Sequence, residues 1–194
     1  MIMTGKLKNL IRESKGIAAI EVALVLPVLL LLYFGLFEIT NLVTLNRKVT
    51  YAASVVADLV AQNKTSVLKV DVQNYFNAAN MVMAPIPAAQ FRAEVFGYRK
   101  VGATISLLWN TNNGGGSSCG AAPTTGAMAP LMVAGNDLVV ARVCTTYQPY
   151  AGSFLGHNIV GNSSIVIQEN ITQRPRSTLT LTCYATTVGG ALCT

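Results

Sequence analysis

The sequence contains few of the residues that carry out chemistry in enzymes. Charged side chains make up only 11% of its 194 residues, and the single histidine, His157, lies in a turn-like stretch. One imidazole cannot build a catalytic triad or a metal site alone, and no Gly-x-Ser-x-Gly motif is near it. The spacing of the acids neither excludes nor favours a glycosidase pair. We therefore predict that the protein is not an enzyme and has no cofactor, metal ion or small-molecule substrate. The acids beyond residue 40 are Asp58, Asp71, Glu94, Asp137 and Glu169.

Aromatic residues and clustered positive charge are also scarce. Aromatics account for 7% of the sequence, and the basic pairs at residues 47–48 and 99–100 are isolated. A nucleic-acid interface needs clustered basic residues with aromatics among them, so we predict no nucleic-acid partner. The formal charge is +6, from 14 basic and eight acidic residues, but without residues 1–16 the counts fall to ten and seven. Much of the basic character therefore belongs to the N-terminal arm.

What the sequence does contain is one long apolar run, residues 17–37. Its 21 residues include a single charge, Glu21, and as a helix they would extend about 31 Å, the thickness of a bilayer's hydrocarbon core. We predict a membrane span. Because the arm before it is basic, the N-terminus should be cytoplasmic and everything after Phe37 outside. A cleaved secretory signal is the alternative, but no small-x-small cleavage site follows the run. The arm carries Lys6, Lys8, Arg12 and Lys15 against Glu13.

Two residues inside the apolar run are unusual for a helix that serves only as a membrane anchor. Pro27 has no amide hydrogen to donate, so it would bend or loosen the helix. The carboxylate of Glu21 is disfavoured near lipid by about 2.5–3.5 kcal/mol and normally needs a partner. Glu21 either snorkels to the cytoplasmic interface, about one helical turn away, or is neutralised by a positive charge.

The residues around Glu21 indicate where that charge would come from. The stretch Gly16-Ile-Ala-Ala-Ile-Glu21 lies between the basic arm and the apolar run. It resembles the site at which prepilin peptidases cut type IV pilin precursors, after a glycine and with glutamate fifth in the mature chain. The resemblance implies cleavage after Gly16, which gives Ile17 a free amine. That ammonium and the Glu21 carboxylate of a neighbouring subunit would then neutralise each other near lipid.

The span as a whole is similar to a particular family. Residues 16–38 resemble the opening of TadE-like proteins, the minor pilins or pseudopilins of the tight-adherence (Flp) pilus machinery. The resemblance implies a bacterial inner-membrane subunit that acts in adhesion, with a prepilin peptidase and other pilus subunits as partners. It implies nothing about residues 177–194, because the family often ends before them. Weaker similarities follow in order at residues 52–62, Trp109, residues 147–150 and Arg174-Pro-Arg176.

Four cysteines follow the apolar run, all on the predicted outer side. No Cys-x-x-Cys occurs among them, so zinc is not expected. An even number of cysteines in an oxidising compartment indicates two disulfides, and three connectivities are open. We favour Cys119 with Cys144 and Cys183 with Cys193, because short loops close readily.

The predicted fold is α+β and pilin-like, with a long N-terminal helix packed on a small antiparallel β-sheet. Apolar residues recur every three or four positions from Leu42 to Val60, so the helix should continue from Ile17 to about Gln62. A break into two helices near residues 40–41 is the alternative. The predicted parts are a cytoplasmic leader (1–16), a transmembrane helix (17–37) and an extracytoplasmic domain (38–194).

Beyond residue 62 the pattern changes from helical to extended. After a break at residues 63–66, Asp71 should cap a short second helix that ends before Pro85. Trp109, at the end of a strand, should lie in the core rather than form a ligand platform. Five segments rich in Val, Ile, Thr and aromatics should be strands of the antiparallel sheet. They are residues 91–98, 101–109, 138–147, 164–172 and 178–184.

Three functions fit these observations. The first is a pilin-like structural subunit of a tight-adherence pilus, with Arg174 and Arg176 as candidate contacts to another pilus component. The second is an uncleaved membrane-anchored periplasmic scaffold of the same machinery. The third is an anchored carbohydrate-binding or hydrolytic domain, which would require a ligand groove. The first two differ in whether the mature protein begins at Ile17.

Overall fold

The computed structural model describes residues 14–126, 128–150, 164–176 and 180–194. Most of the predicted leader, His157 and the start of the fifth predicted strand lie outside these ranges. Two compact units are present. One contains the first helix as far as Asn41 together with Pro149 and Tyr150, and the other contains Leu42–Gln148 and the described residues after 163.

Helix α1 (Ser14–Ala61) is continuous. The prediction of one helix reaching residue 62 is therefore confirmed, and the alternative of a break near residues 40–41 is wrong. Pro27 lies inside α1, where it leaves one carbonyl of the preceding turn without its usual donor. In the second unit, Val49, Val56 and Val60 are fully buried, because their spacing of seven and four places them on one face of the helix.

Strand β1 (Ser66–Leu68) and helix α2 (Lys69–Met83) follow directly. Asp71 caps α2, as predicted, but it does so from the third position of the helix, and the N-cap residue is Leu68. Oδ2 of Asp71 accepts a hydrogen bond from the backbone nitrogen of Leu68 at 3.4 Å, so Asp71 caps the helix from within the first turn. The residues before it are extended because they pair with a distant strand. The helix ends before Pro85, as predicted.

Four strands form one antiparallel sheet in the order β3-β2-β4-β5, which confirms the predicted α+β class. The turn between β2 and β3 has two residues, and its Gly102 has a φ of +59°, a conformation that glycine adopts without strain. The strands are β2 (Phe91–Val101), β3 (Thr104–Asn112), β4 (Asp137–Tyr147) and β5 (Ile165–Gln173).

Trp109 lies in the core, as predicted, although β3 continues past it. It is 2% exposed, and its Nε1 donates to the carbonyl oxygen of Leu181 at 3.0 Å. Gly97 lies opposite it on β2, next to a β-bulge. A Cβ atom on Gly97 would lie 2.2 Å from the indole ring, so the ring occupies space that only glycine leaves open.

Strand β6 (Thr182–Tyr184) corrects the fifth predicted strand. It does not join the antiparallel sheet but pairs in parallel with β1. Strand β6 lies away from the sheet because Leu181 and Cys183 are fully buried in the core. Further along the chain, the backbone nitrogen of Asn110 on β3 donates to the carbonyl of Cys193 at 3.3 Å. The C-terminal segment therefore packs beside β3 and completes the core.

Each face of the sheet carries an apolar cluster. The helix-side face carries Ala93, Val95 and Ala141, which pack with the buried residues of α1 and α2 in one apolar cluster. The opposite face, called the outer face below, lies under the segment between β3 and β4. Its apolar cluster is Phe96, Tyr98, Met128, Met132, Leu138 and Val140.

Candidate functional site

The first half of α1 is an apolar helix without cover. All described side chains from residue 19 to residue 33 are exposed, and the mean hydropathy of an 18-residue window reaches 2.5. Within the described residues, α1 is the one helix long and apolar enough to cross a membrane. Exposing apolar surface to water costs about 25 cal/mol per Å², so this half of the helix requires lipid or another protein around it.

The predicted cleavage and assembly residues lie near the start of α1. Gly16 is exposed, and a Cβ atom there would meet no atom within 4 Å. Glu21 is also exposed. The backbone of Ile17 is helical, and Ile17 lies four residues before Glu21, which is about one helical turn. The Gly16–Ile17 bond therefore lies in the first turn of the helix, one turn before the carboxylate.

A contact within the first unit was not indicated by the sequence. The backbone nitrogen of Tyr150 donates to Oε1 of Glu38 at 3.1 Å. The rings of Phe37 and Tyr150 lie 6.2 Å apart between centroids. The resemblance at residues 147–150 drew attention to this tyrosine, but it did not predict its partners, because they are distant in sequence and Glu38 is 112 residues away.

The structure contains the two disulfides favoured from the sequence. Cys119–Cys144 joins the segment after β3 to strand β4, with Cα atoms 5.8 Å apart. Cys183–Cys193 closes the C-terminal segment, with Cα atoms 5.4 Å apart. Both therefore attach irregular segments to buried strands.

The two arginines at the end of β5 make contacts within their own chain. Nη2 of Arg174 donates to the carbonyl of Leu131, and the guanidinium of Arg176 pairs with Asp58 on α1. The side chain of Arg176 is still 59% exposed. Contact of these arginines with another pilus component stays a prediction.

Asp137 anchors the C-terminal segment to the sheet. It is 3% exposed, and its carboxylate binds Arg99 through two hydrogen bonds of 2.6 and 2.7 Å. The same carboxylate accepts a bond from the backbone nitrogen of Leu181 at 2.7 Å. The hydrogen bond to Asp137 raises the pKa of Arg99 above its usual value. This acid has a structural role, which explains one of the scattered carboxylates.

A second ion-pair cluster lies on the outer face of the sheet. Glu94 is 7% exposed; its Oε1 accepts from Nε of Arg92 at 2.6 Å and its Oε2 from Nε of Arg142 at 2.9 Å. Arg142 is 2% exposed and also donates to the carbonyls of Gly120 and Ala121, at 3.1 and 2.6 Å. The cluster thereby fixes the segment after β3 over the sheet.

Beside this cluster is a cleft of about 250 Å³. Sequence reasoning missed it. The signal was the alternation of polar residues in two paired strands, Arg92 and Glu94 on β2 with Asn110 and Asn112 on β3, since alternate residues share a face. The register confirms this, because Glu94 lies opposite Asn112. In the described part of the chain, no group of three His, Cys, Asp or Glu residues is placed to hold a metal ion.

These features define the class of the protein, an α+β protein with one N-terminal helix that is apolar and exposed enough to anchor it in a membrane. The model of the TadE-like protein family matches residues 16–58. This part of the chain is similar to TadE-like proteins, which confirms the resemblance predicted for residues 16–38. No curated protein and no solved structure matches the chain.

Proposed function

We propose that the protein is a minor pilin or pseudopilin, a structural or assembly subunit of a tight-adherence type IV pilus. The observation that carries the proposal is the division of α1 within the TadE-like match, since its first half is apolar and exposed and its second half is buried in a folded unit. In this proposal residues 17–37 cross the bacterial inner membrane. Residues 38–194 form a periplasmic domain until the subunit enters a pilus.

The proposed orientation rests on charge and on the cysteines. The basic arm favours a cytoplasmic N-terminus, and two disulfides are typical of an oxidising compartment. Protease added to spheroplasts should therefore digest the α+β unit while a cytoplasmic marker stays intact. Full protection of that unit until the membrane is lysed would contradict the orientation.

Cleavage after Gly16 is the second part of the proposal. We expect the mature protein to begin at Ile17, and Gly16→Trp to leave a protein that retains its first 16 residues. Gly35→Trp is the matched control, because a Cβ atom at either glycine would meet no atom within 4 Å. Intact mass measurement distinguishes the products. A wild-type N-terminus at Met1 would contradict cleavage.

Glu21 is the proposed assembly residue. After cleavage the Ile17 ammonium would lie about 6 Å along the axis from Glu21 of the same chain, so a neighbouring helix shifted by about one turn could bring opposite charges together. Glu21→Gln should leave membrane insertion intact but lower co-purification of other pilus subunits about tenfold or more, because an ammonium stays unpaired near lipid. Glu38→Gln is the matched control, since its Oε1 can still accept from Tyr150. Unchanged co-purification of the Glu21 variant would remove this role.

One observation favours the uncleaved scaffold as a second candidate. The Gly16–Ile17 bond is helical, whereas proteolysis favours exposed backbone that is not held in regular structure. The first turn of a helix has unpaired amides and frays, which makes local opening inexpensive. The N-terminal residue of the protein recovered from cells decides between the two functions.

A further inference from the structure

The outer cleft lies in the second unit, on the face of the sheet away from the helices. Arg92 and Glu94 of β2 and Asn110 and Asn112 of β3 line it, and Arg142 of β4 forms its floor with Glu94. The Cys119–Cys144 disulfide and the carbonyl contacts of Arg142 hold the covering segment beside it. The cleft is therefore formed by strands and by a segment that a disulfide and hydrogen bonds hold in place.

Most polar groups of the ion-pair cluster already have partners. Both oxygens of Glu94 accept from arginines, and Arg142 uses its donors on Glu94 and on two backbone carbonyls. The guanidinium of Arg142 also lies 5.0 Å from the centroid of the Phe96 ring. Phe96 is the one aromatic residue in the described lining and is 5% exposed, so a ligand would be recognised by polar contacts.

The groups left over are hydrogen-bond donors in excess. Within the described residues, Arg92 uses only its Nε, so its two terminal nitrogens have no protein partner. In the side chain of Asn112, only Oδ1 has a described partner, because it accepts from the backbone nitrogen of Gly114 at 2.9 Å. The side-chain amide of Asn110 has no hydrogen-bond partner among the described residues. Two arginines face one glutamate, which leaves a net charge of +1 in the cleft.

We propose that this cleft binds the carboxylate of a small monoanionic ligand, held by the terminal nitrogens of Arg92 and the side-chain amides of Asn110 and Asn112. A carboxylate matches the planar fork of a guanidinium, and one negative charge balances the excess in the cleft. Its volume of about 250 Å³ accommodates a ligand of the size of one sugar acid or one amino acid. The inference is independent of the proposed pilus function.

Isothermal titration of the full-length protein tests the proposal, in a detergent without sugar, phosphate or carboxylate groups. The probes are glucuronate, N-acetylglycine, glucose and inorganic phosphate. At least one carboxylate should bind saturably with a Kd of about 1 mM or lower. Binding of glucuronate alone would identify the ligand as a sugar acid, and binding of N-acetylglycine alone would identify it as a peptide C-terminus. The proposal is overturned if neither binds, if glucose binds as tightly as glucuronate, or if phosphate binds more tightly than both.

Two pairs of variants locate the binding in the cleft. Asn110→Asp is nearly isosteric and places a negative charge in the lining of the cleft, so affinity for a carboxylate should fall about tenfold or more. Asn74→Asp makes the same change at an exposed position on α2 and should bind as the wild type does. Arg92→Gln should also weaken binding, with exposed Arg47→Gln as its control. Wild-type affinity in folded Asn110→Asp, checked by its thermal melt, would overturn the assignment.

Discussion

The two halves of α1 contain the same kinds of side chain in opposite environments. Val22 and Val28 in the first half are 60% and 55% exposed, whereas Val49 and Val56 in the second half are fully buried. The difference teaches that helix formation does not depend on which solvent surrounds the apolar side chains. In the first half apolar residues point in every direction, and in the second they form a stripe that packs on the sheet. One helix can therefore combine an apolar half without cover and a half that belongs to a protein core.

The largest effect is expected when a charge is placed in each half of α1. Val56→Asp puts a carboxylate into a fully buried site, so it should destabilise the second unit by about 4 kcal/mol or more. Val25→Asp should leave the melt of that unit unchanged but reduce membrane insertion, at a cost of about 2.5–3.5 kcal/mol. Thermal melts in detergent and membrane fractionation measure the two effects. Equal melting temperatures for the two variants would contradict the difference in environment between the two halves of the helix.

Two glycines give a smaller, steric version of the same test. A Cβ atom on Gly97 would lie 2.2 Å from the Trp109 ring, but one on Gly35 would meet nothing. Gly97→Ala should destabilise the second unit by about 1–3 kcal/mol. Gly35→Ala should leave that unit unaffected and favour the helix by up to about 1 kcal/mol. Urea unfolding of the second unit compares them, and an unchanged midpoint for Gly97→Ala would contradict close packing of the indole.

Tyr98 extends the comparison to an ionisable side chain in the second unit. It is 2% exposed and donates to the carbonyl of Pro123 at 2.9 Å. Burial raises the pKa of Tyr98 above 10.0, and Arg142 opposes the shift more weakly. Because the unfolded pKa is about 10, the stabilisation from the neutral phenol is complete below that pH and is lost as the pH rises through the folded pKa.

The test is urea unfolding between about pH 8 and pH 11. Stability should fall above about pH 10 in the wild type, and that part of the fall should disappear in Tyr98→Phe. An identical alkaline decline in both proteins would assign it to other groups.

The smallest expected effect is at Thr111. Its Oγ1 is buried without a hydrogen-bond partner in the described part of the chain. Thr111→Val replaces the hydroxyl with a methyl group of similar shape and should stabilise the second unit by about 1 kcal/mol. Thr145→Val is the control, because Oγ1 of Thr145 donates to the carbonyl of Gln90 at 3.0 Å, and it should destabilise. Equal shifts for the two variants would show that Thr111 has a partner.

Much of the fold was predictable because its signals are local or periodic. The long helix follows from 45 positions of apolar pattern between residues 17 and 61, and the four strands of the sheet follow from runs of Val, Ile and Thr. The pairing of Cys183 with Cys193 was favoured because ten residues separate them. Such signals involve neighbours along the chain, so periodicity and loop length detect them.

The misplaced elements depend on partners far away in sequence. Strand β1 has three residues, too few to show a period, and it is extended because β6 lies beside it. Strand β6 lies within a predicted strand, but its pairing with β1 did not follow from the sequence. Asp71 caps α2 from the third position of the helix for the same reason, since β1 leads directly into α2 and makes Leu68 the N-cap residue. The outer cleft needed the register of β2 and β3, which a strand's composition does not contain.

The sequence by itself determined the apolar span with its basic arm and single acid, the continuous helix and the α+β class. These depend on hydrophobicity and on the period of the chain, which are properties of consecutive residues. Only the tertiary structure decided that Asp137 secures the C-terminal segment, that Trp109 packs over Gly97, and that Arg92 binds Glu94 through Nε alone among the described residues. These depend on distances between residues that folding brings together, because side-chain pairing is set by register and burial.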